Sequence, residues 1–461
     1  MSRTVETLPQ EFLAKMRAQL GSGIDDYLES FTALLPTSIR LNPSKPSKAF
    51  ENAPPIPWCP WGRLLDERPS FTADPLFHGG AYYVQEASSM YLWHVLAELV
   101  DPKQDQLVLD LSAAPGGKTT LLQSFLSRDS LIVANEIIPS RNKILRHNLT
   151  RWGADNVMVS QNDPGYFQAL PNYFDLILVD APCSGEGLFR KDPGAISEWS
   201  AAHVQHCALR QKRILGDVLQ ALKPGGLLIY STCTYNEQEN EDNIRWLIDS
   251  EGLEPVPIEP PEDFNLIPAS FNLPGSHFYP HRVTGEGFFI SVLRKPEQTG
   301  ELHRRTSKKR TPRNKSKSIA VGQEWLHEPD RFHCFERVEH LIAMPIKFFP
   351  EYLSLSKRLH LTSTGLNLGK VYNGKLRPSP ELALSTAVTH SLAEVELSRV
   401  QAQSLLSHRS IQNLKVDGTG WYLAKFEQLG LAWLNILKTG QIKNNYPTAW
   451  RILNPDKVIK S

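Results

Sequence analysis

Between about residues 85 and 295 the chain alternates short hydrophobic runs with helix-length stretches, a pattern that restricts it to an α/β fold with a mainly parallel sheet. Strands are expected at Leu107–Leu111, Leu131–Asn135, Asn156–Ser160, Phe174–Asp180 and Gly226–Ser231, with a late pair around Pro255 and at Phe288–Leu293. Helices are expected at Lys118–Ser127, Pro139–Trp152, Ile196–Leu222 and Asn236–Ser250. In such sheets ligands gather at the carboxyl ends of the strands. Three unusual loops sit at those ends.

The first loop, Asp110–Thr120 (DLSAAPGGKTT), joins a strand to a helix through small residues. These let backbone approach a ligand, and the helix start offers free amides to an anionic group. Gly117-Lys118-Thr119 also resembles the end of a phosphate-binding P-loop, but Ser112 stands where the first glycine is needed and Pro115 interrupts the loop. Glu136, at the end of the next strand, is placed to accept hydrogen bonds from ribose hydroxyls, which suits an adenosine cofactor better than a triphosphate. The second loop is Asp180-Ala181-Pro182-Cys183-Ser184-Gly185, and the third is Ser231-Thr232-Cys233-Thr234. A lone cysteine is usually core filler, but two at functional strand ends point to chemistry. Cys59, Cys207 and Cys334 have no such setting and are assigned to core or surface.

Of the 461 residues, 41 % are hydrophobic, enough for two to four compact domains, and the longest apolar runs are strand-sized, which excludes a membrane-spanning helix. The first ten residues have no secretory pattern, and five cysteines without a CxxC pair suit neither a disulfide framework nor a structural zinc site. A cytoplasmic, metal-free protein is expected. The net charge of +1 hides an asymmetry: residues 1–296 carry 25 basic and 35 acidic side chains, and residues 297–461 carry 25 and 14. The run His303–Ser318 has eight Lys or Arg and no acid. Such a division points to a polyanion partner for the C-terminal part. The expected organisation is an N-terminal segment (1–84), an α/β domain (85–296), a basic linker (297–320) and a C-terminal region (321–461).

DLSAAPGGKT, DAPCSGEG and STCTYNEQENE, in this order, resemble the cofactor, substrate and Thr-Cys loops of the RNA cytosine-5 methyltransferases of the nucleolar-protein/Sun group. Gly80–Met90 (GAYYVQEASSM) and Glu286–Phe289 (EGFF) extend the resemblance, and Arg190-Lys191-Asp192-Pro193 is similar to the RsmF-type ribosomal RNA enzymes. Gly420-Trp421, Gly430–Trp433 and Lys443–Pro447 resemble the PUA-like module that ends those proteins, over about 400–461. The likeness is weakest before about residue 75 and between about 320 and 400, and Ser112 replaces a cysteine common in the first loop. The resemblance implies a Rossmann-like class I methyltransferase domain using S-adenosylmethionine, an N-terminal α+β segment of RNA-binding type (1–84), a C-terminal RNA-binding region (321–461), and a monomer acting on RNA, small-subunit ribosomal RNA above all. The same reaction on transfer RNA, or a non-catalytic ribosome-assembly factor, are the alternatives.

Carbon 5 of cytosine is a poor nucleophile. A thiolate added at carbon 6 makes it electron-rich, after which the methyl group is taken up, the carbon-5 proton is removed and the sulfur leaves. Chemistry alone does not say which cysteine adds, since DNA cytosine-5 methyltransferases use a Pro-Cys nucleophile. The resemblance implies Cys233 as nucleophile and Cys183 in release. Asp180 would hold the exocyclic amine or ring nitrogen 3, with Lys118 orienting it. The amides of Ala113, Ala114, Pro115-Gly116, Gly117, Lys118 and Thr119 would meet the methionine end of the cofactor, Pro115 itself shaping the turn. Glu136 would take the ribose and Asp163 the adenine amine, with Arg141 beside them. Trp421, Trp433 and Tyr446 read as core more than as stacking surfaces.

Overall fold

The computed structural model describes residues 7–297 and 317–453. Its centre is a ten-stranded sheet. Five parallel strands, β1 (Leu107–Asp110), β2 (Leu131–Asn135), β3 (Val157–Ser160), β4 (Phe174–Asp180) and β5 (Leu222–Thr232), and the antiparallel β6 (Phe288–Arg294) stand in the order 3-2-1-4-5-6. The strands read as unbroken hydrophobic runs because helices bury both faces. On one face Leu109, Ile177 and Tyr230 pack with Ile214, Leu215 and Ile244. On the other, Val108, Ile132, Leu178 and Ile229 pack with Val95, Leu96, Leu121 and Leu122. The covering helices include α1 (Gly117–Phe125), α2 (Pro139–Trp152), α3 (Ala201–Leu219) and α4 (Glu241–Asp249). The strand order reverses between β1 and β4, which opens a crevice above their carboxyl ends.

Several expected boundaries move. The single helix Ile196–Leu222 is two, Pro193–Glu198 and α3, because extended backbone at Trp199 and Ser200 breaks it and the Ser200 hydroxyl caps the restart by accepting the His203 N–H at 3.1 Å. The helix expected from Asn236 begins only at Glu241, since the Asn236 and Glu239 side chains knit residues 236–240 into a turn. β5 starts at Leu222 instead of Gly226. At the far edge, Leu361–Thr364 pairs antiparallel with β3, so the central sheet is completed by a strand from beyond the basic run. That run, His303–Ser318, lies outside the described residues except for Lys317 and Ser318, which open the helix Lys317–Gln323.

Smaller sheets flank this centre. An N-terminal four-stranded sheet follows the helix Gln10–Leu20, and two more lie between residues 332 and 444. Ile39, Leu76 and Tyr82 of the N-terminal sheet region share one core with Leu405, Leu431 and Tyr446 near the C-terminus. At their junction with the catalytic domain the buried Lys45 ammonium donates to the carbonyls of Gly79, Arg151 and Leu384 at 2.6–2.9 Å. Trp433 is buried and donates its indole N–H to the Ser379 carbonyl, and Tyr446 is buried too, so both are core. Trp421 is half-buried against the same core. Cys59, Cys207 and Cys334 are all buried.

Candidate active site

The loop after β1 turns into α1 at Gly116, whose φ of 113° lies in the left-handed region and where a β-carbon would stand 3.3 Å from Leu145. No side chain caps α1. The first-turn amides of Gly117, Lys118 and Thr119 therefore face out of the helix without an intrahelical acceptor, an anion site by construction. The Ala114–Pro115 bond is cis. Ala113 departs from expectation: its N–H donates to the Asn135 carbonyl at 2.8 Å, joining the loops after β1 and β2, so the free amides begin after it. Beneath the loop, Asp110 accepts the Thr119 hydroxyl at 2.6 Å, and burial pushes its carboxyl up to about 7.

Glu136 is 2 % exposed. One carboxylate oxygen accepts the Ile138 N–H at 2.9 Å, while the other is buried without a hydrogen bond, 3.4 Å from Arg141. Arg141 also donates to the Ala114 carbonyl at 2.8 Å, tying the two loops. A buried carboxylate oxygen with spare acceptor capacity suits a hydroxyl-bearing ligand. Asp163 caps the turn Pro164–Ala169 and pairs with Arg213 at 3.3 Å, on the outer side of the next strand end.

On the other side of the crevice, Asp180 ends β4. Its Oδ2 lies 2.8 Å from Lys118 Nζ and its Oδ1 accepts the Ser231 hydroxyl at 2.8 Å. Burial opposes the Lys118 charge, but Asp180, Asp110 and the nearby Cys233 sulfur outweigh it and hold the ammonium above its usual range. The sulfurs of Cys183 and Cys233 are 3.0 Å apart, and Cys183 Sγ also accepts the Cys233 N–H at 3.3 Å. The hydrogen bond to Cys233, then burial, raise the Cys183 thiol well above the usual thiol range. Its proton stays on, leaving Cys233 next to a thiol donor and within the field of a lysine.

The sequence motifs contain two residues whose roles were missed. Glu186 accepts the Thr234 hydroxyl at 2.7 Å, the Tyr235 N–H at 3.0 Å and the Trp199 indole at 3.0 Å. Glu239 accepts the Ser184 N–H at 2.9 Å and the side chains of Gln211 and Asn236. These carboxylates lace the two cysteine loops together, and the Gly187 N–H donates directly to the Cys233 carbonyl at 2.9 Å. A β-carbon on Gly187 would collide with the Gly287 carbonyl at 2.5 Å, and one on Gly287 with the Tyr235 ring at 2.4 Å, which explains the glycine at both positions. Such charged positions inside DAPCSGEG and STCTYNEQENE were the available signal.

The arrangement has matches among known proteins. Residues 97–294 match the family model of the 16S rRNA methyltransferase RsmB/F, residues 8–87 the N-terminal domain of 16S rRNA methyltransferase RsmF, and residues 392–452 the methyltransferase RsmF PUA domain. Ribosomal RNA small subunit methyltransferase F of Cronobacter sakazakii is 34 % identical over 95 % of both chains, and that of Salmonella arizonae is likewise 34 % identical over 95 % of both. The crystal structure of a methyltransferase homolog protein from Pyrococcus horikoshii is 33 % identical, with a TM-score of 0.54, covering 63 % of this chain and 97 % of that one.

Proposed function

Because the chain belongs to the 16S rRNA methyltransferase RsmB/F family, with RsmF-type modules at both ends, we propose that it methylates carbon 5 of one cytosine in small-subunit ribosomal RNA through a thioether between Cys233 and the base. One observation carries the mechanism: two thiols 3.0 Å apart, flanked by a lysine–aspartate pair, at the ends of adjacent strands. S-adenosylmethionine, when bound, supplies the methyl group. Its carboxylate suits the free amides at the start of α1, and its ribose suits the Glu136 oxygen that takes no hydrogen bond and meets only the Arg141 guanidinium at 3.4 Å. Asp163 and Arg141 complete the adenosine side.

Cys233 adds to carbon 6 as the thiolate, helped by the neighbouring Lys118 charge. Asp180, fixed by Lys118 and Ser231, would accept from the exocyclic amine of the cytosine or hold a proton toward ring nitrogen 3, where negative charge gathers as the thiolate adds. Once carbon 5 carries the methyl group, its proton goes to a base and the Cys233–carbon 6 bond breaks, restoring the ring. Cys183 stands beside the leaving sulfur with its own thiol proton and governs this release. A stacked base cannot reach this crevice, so the cytosine is flipped out or drawn from an unpaired site. The protein acts as a cytoplasmic monomer. No helix among the described residues is long and apolar enough to cross a membrane.

The test is methyl transfer from labelled S-adenosylmethionine to 16S rRNA and to assembled small subunits, with the product mapped by bisulfite sequencing. A single methylated cytosine, lost in Cys233→Ala, is expected. Methylation at another ring position, or transfer RNA as the better substrate, would refute the reading.

A further inference from the structure

Buried Arg40 and Lys45 and half-buried Arg151 surround the C-terminal half of α2, none with a carboxylate partner among the described residues, although burial pushes the Lys45 ammonium down to about 7 and so removes part of its charge at neutral pH. Arg40 is fully buried over the Trp152 ring at 4.6 Å, donating to Gln85, Thr120 and Ser124. Lys45 is held by carbonyls alone, and Arg151 lies over the Phe77 ring at 4.1 Å. On the outer face of the same helix, Lys143 and Arg146 are exposed and carry no ion pair among the described residues. Unpaired charge over a low-dielectric wall concentrates positive potential. So the catalytic half, acidic in total, has a basic flank.

That flank forms one wall of a groove of about 750 Å³. Residues 143, 146–147 and 150 line it at helical spacing, and the hairpin tip at Val338 and the segment carrying Trp450 form the other walls. Val338 is 85 % exposed on a left-handed turn (φ 46°), an unusual place for a β-branched residue. The His147 and Trp450 rings stack at 4.4 Å and 19°, and burial pushes the histidine down to about 3, so the stack is neutral. Of the acids in the groove, Asp155 is already paired with Arg331 at 2.6 Å, leaving Glu381. Cations interleaved with flat aromatic and exposed aliphatic surface fit single-stranded nucleic acid better than a duplex or a lipid surface. A groove of about 1260 Å³ elsewhere is different, since Lys48, Arg68, Arg399 and Arg409 in its lining are balanced by Glu51, Asp66, Glu67 and Asp74.

We propose that this groove holds a single-stranded stretch of the ribosomal RNA outside the reacting nucleotide, with phosphates on Lys143 and Arg146 and a base against Trp450. It rests on the proposed RNA substrate and adds a second contact to it. The placement is reasonable, since Arg146 is only about 7.5 Å along α2 from Arg141 beside the cofactor crevice. The test measures affinity of the full chain for a 16S rRNA transcript as a function of salt. In Lys143→Glu/Arg146→Glu, and more mildly in Lys143→Gln/Arg146→Gln, affinity falls, at least tenfold for the former. The slope of log affinity against log salt drops by about 1–2. Trp450→Ala weakens binding with the slope unchanged, because stacking releases no counterions. S-adenosylmethionine affinity and melting temperature serve as fold controls. If the charge variants bind the transcript with wild-type affinity and slope, the proposal is overturned. Binding is read here, not turnover, so a wild type that binds RNA without methylating it counts against the proposed function alone.

Discussion

Lys118 Nζ lies 2.8 Å from Asp180 Oδ2, so an ion pair joins the helix that opens the cofactor loop to the strand end that opens the substrate loop. In the proposed mechanism the base enters beside this pair, and Asp180 still has acceptor capacity after its bonds to Lys118 and Ser231. Asp180→Asn keeps the shape and removes the charge. We expect single-turnover methyl transfer to slow by about 10²–10³-fold, with cofactor affinity changed less than the rate. A rate close to wild type would reduce Asp180 to a turn residue.

Glu136 has a buried carboxylate oxygen without a hydrogen bond, 3.4 Å from Arg141, to which the proposed function gives the cofactor ribose. Glu136→Gln preserves the contact to the Ile138 N–H but replaces an acceptor by a donor and strands Arg141. Calorimetric titration with S-adenosylhomocysteine is expected to show at least tenfold weaker binding, roughly 1.4 kcal/mol or more. Unaltered binding would remove Glu136 from the ribose site.

The seam between the N-terminal sheet, α2 and the C-terminal module has a pH dependence. Buried His78 faces the Thr72 carbonyl and the Tyr446 hydroxyl, both at 2.9 Å, an arrangement that a neutral ring satisfies on both sides. Burial lowers His78 to about 4 and His147 to about 3, against about 6.5 when unfolded. The unfolded chain therefore binds more protons below 6.5, and stability present above that pH is lost as pH falls toward 4, at up to about 1.4 kcal/mol per pH unit for each histidine. Asp110, raised to about 7, acts in the opposite direction: its contribution is complete below 3.8 and fades as pH rises through 7. The informative quantity is thus a difference. Urea midpoints of wild type and His78→Gln should converge as pH falls from 7 to 5. Parallel curves would show that His78 is protonated in the folded state.

Much of this site was legible because chemistry confined it to strand ends. The buried strands β1, β2, β4 and β5 announce themselves as hydrophobic runs, and the residues after them, Gly116, Glu136, Asp180, Cys183 and Cys233, follow in the chain. The lacing by Glu186 and Glu239 was not read, because a carboxylate in a loop looks solvated until its donors come from another loop. Nor was the edge strand Leu361–Thr364, whose four residues carry no pattern apart from the β3 edge they complete. A total of charges also hides how they are grouped within the catalytic half. Its acids are spread through the segment, whereas Lys143 and Arg146 stand three residues apart on one helix face. Arg40 and Lys45 give no sequence signal at all, since their partners are carbonyls, hydroxyls and rings instead of acids.

The account depends most on the division of labour between Cys233 and Cys183. Wild type, Cys183→Ala, Cys233→Ala and the double variant, each incubated with 16S rRNA and S-adenosylmethionine and then run on a denaturing gel, test it directly. We predict a protein–RNA band in Cys183→Ala, where release is blocked, that disappears when Cys233 is also replaced. A band in Cys233→Ala that depends on Cys183 would contradict the account and exchange the two roles.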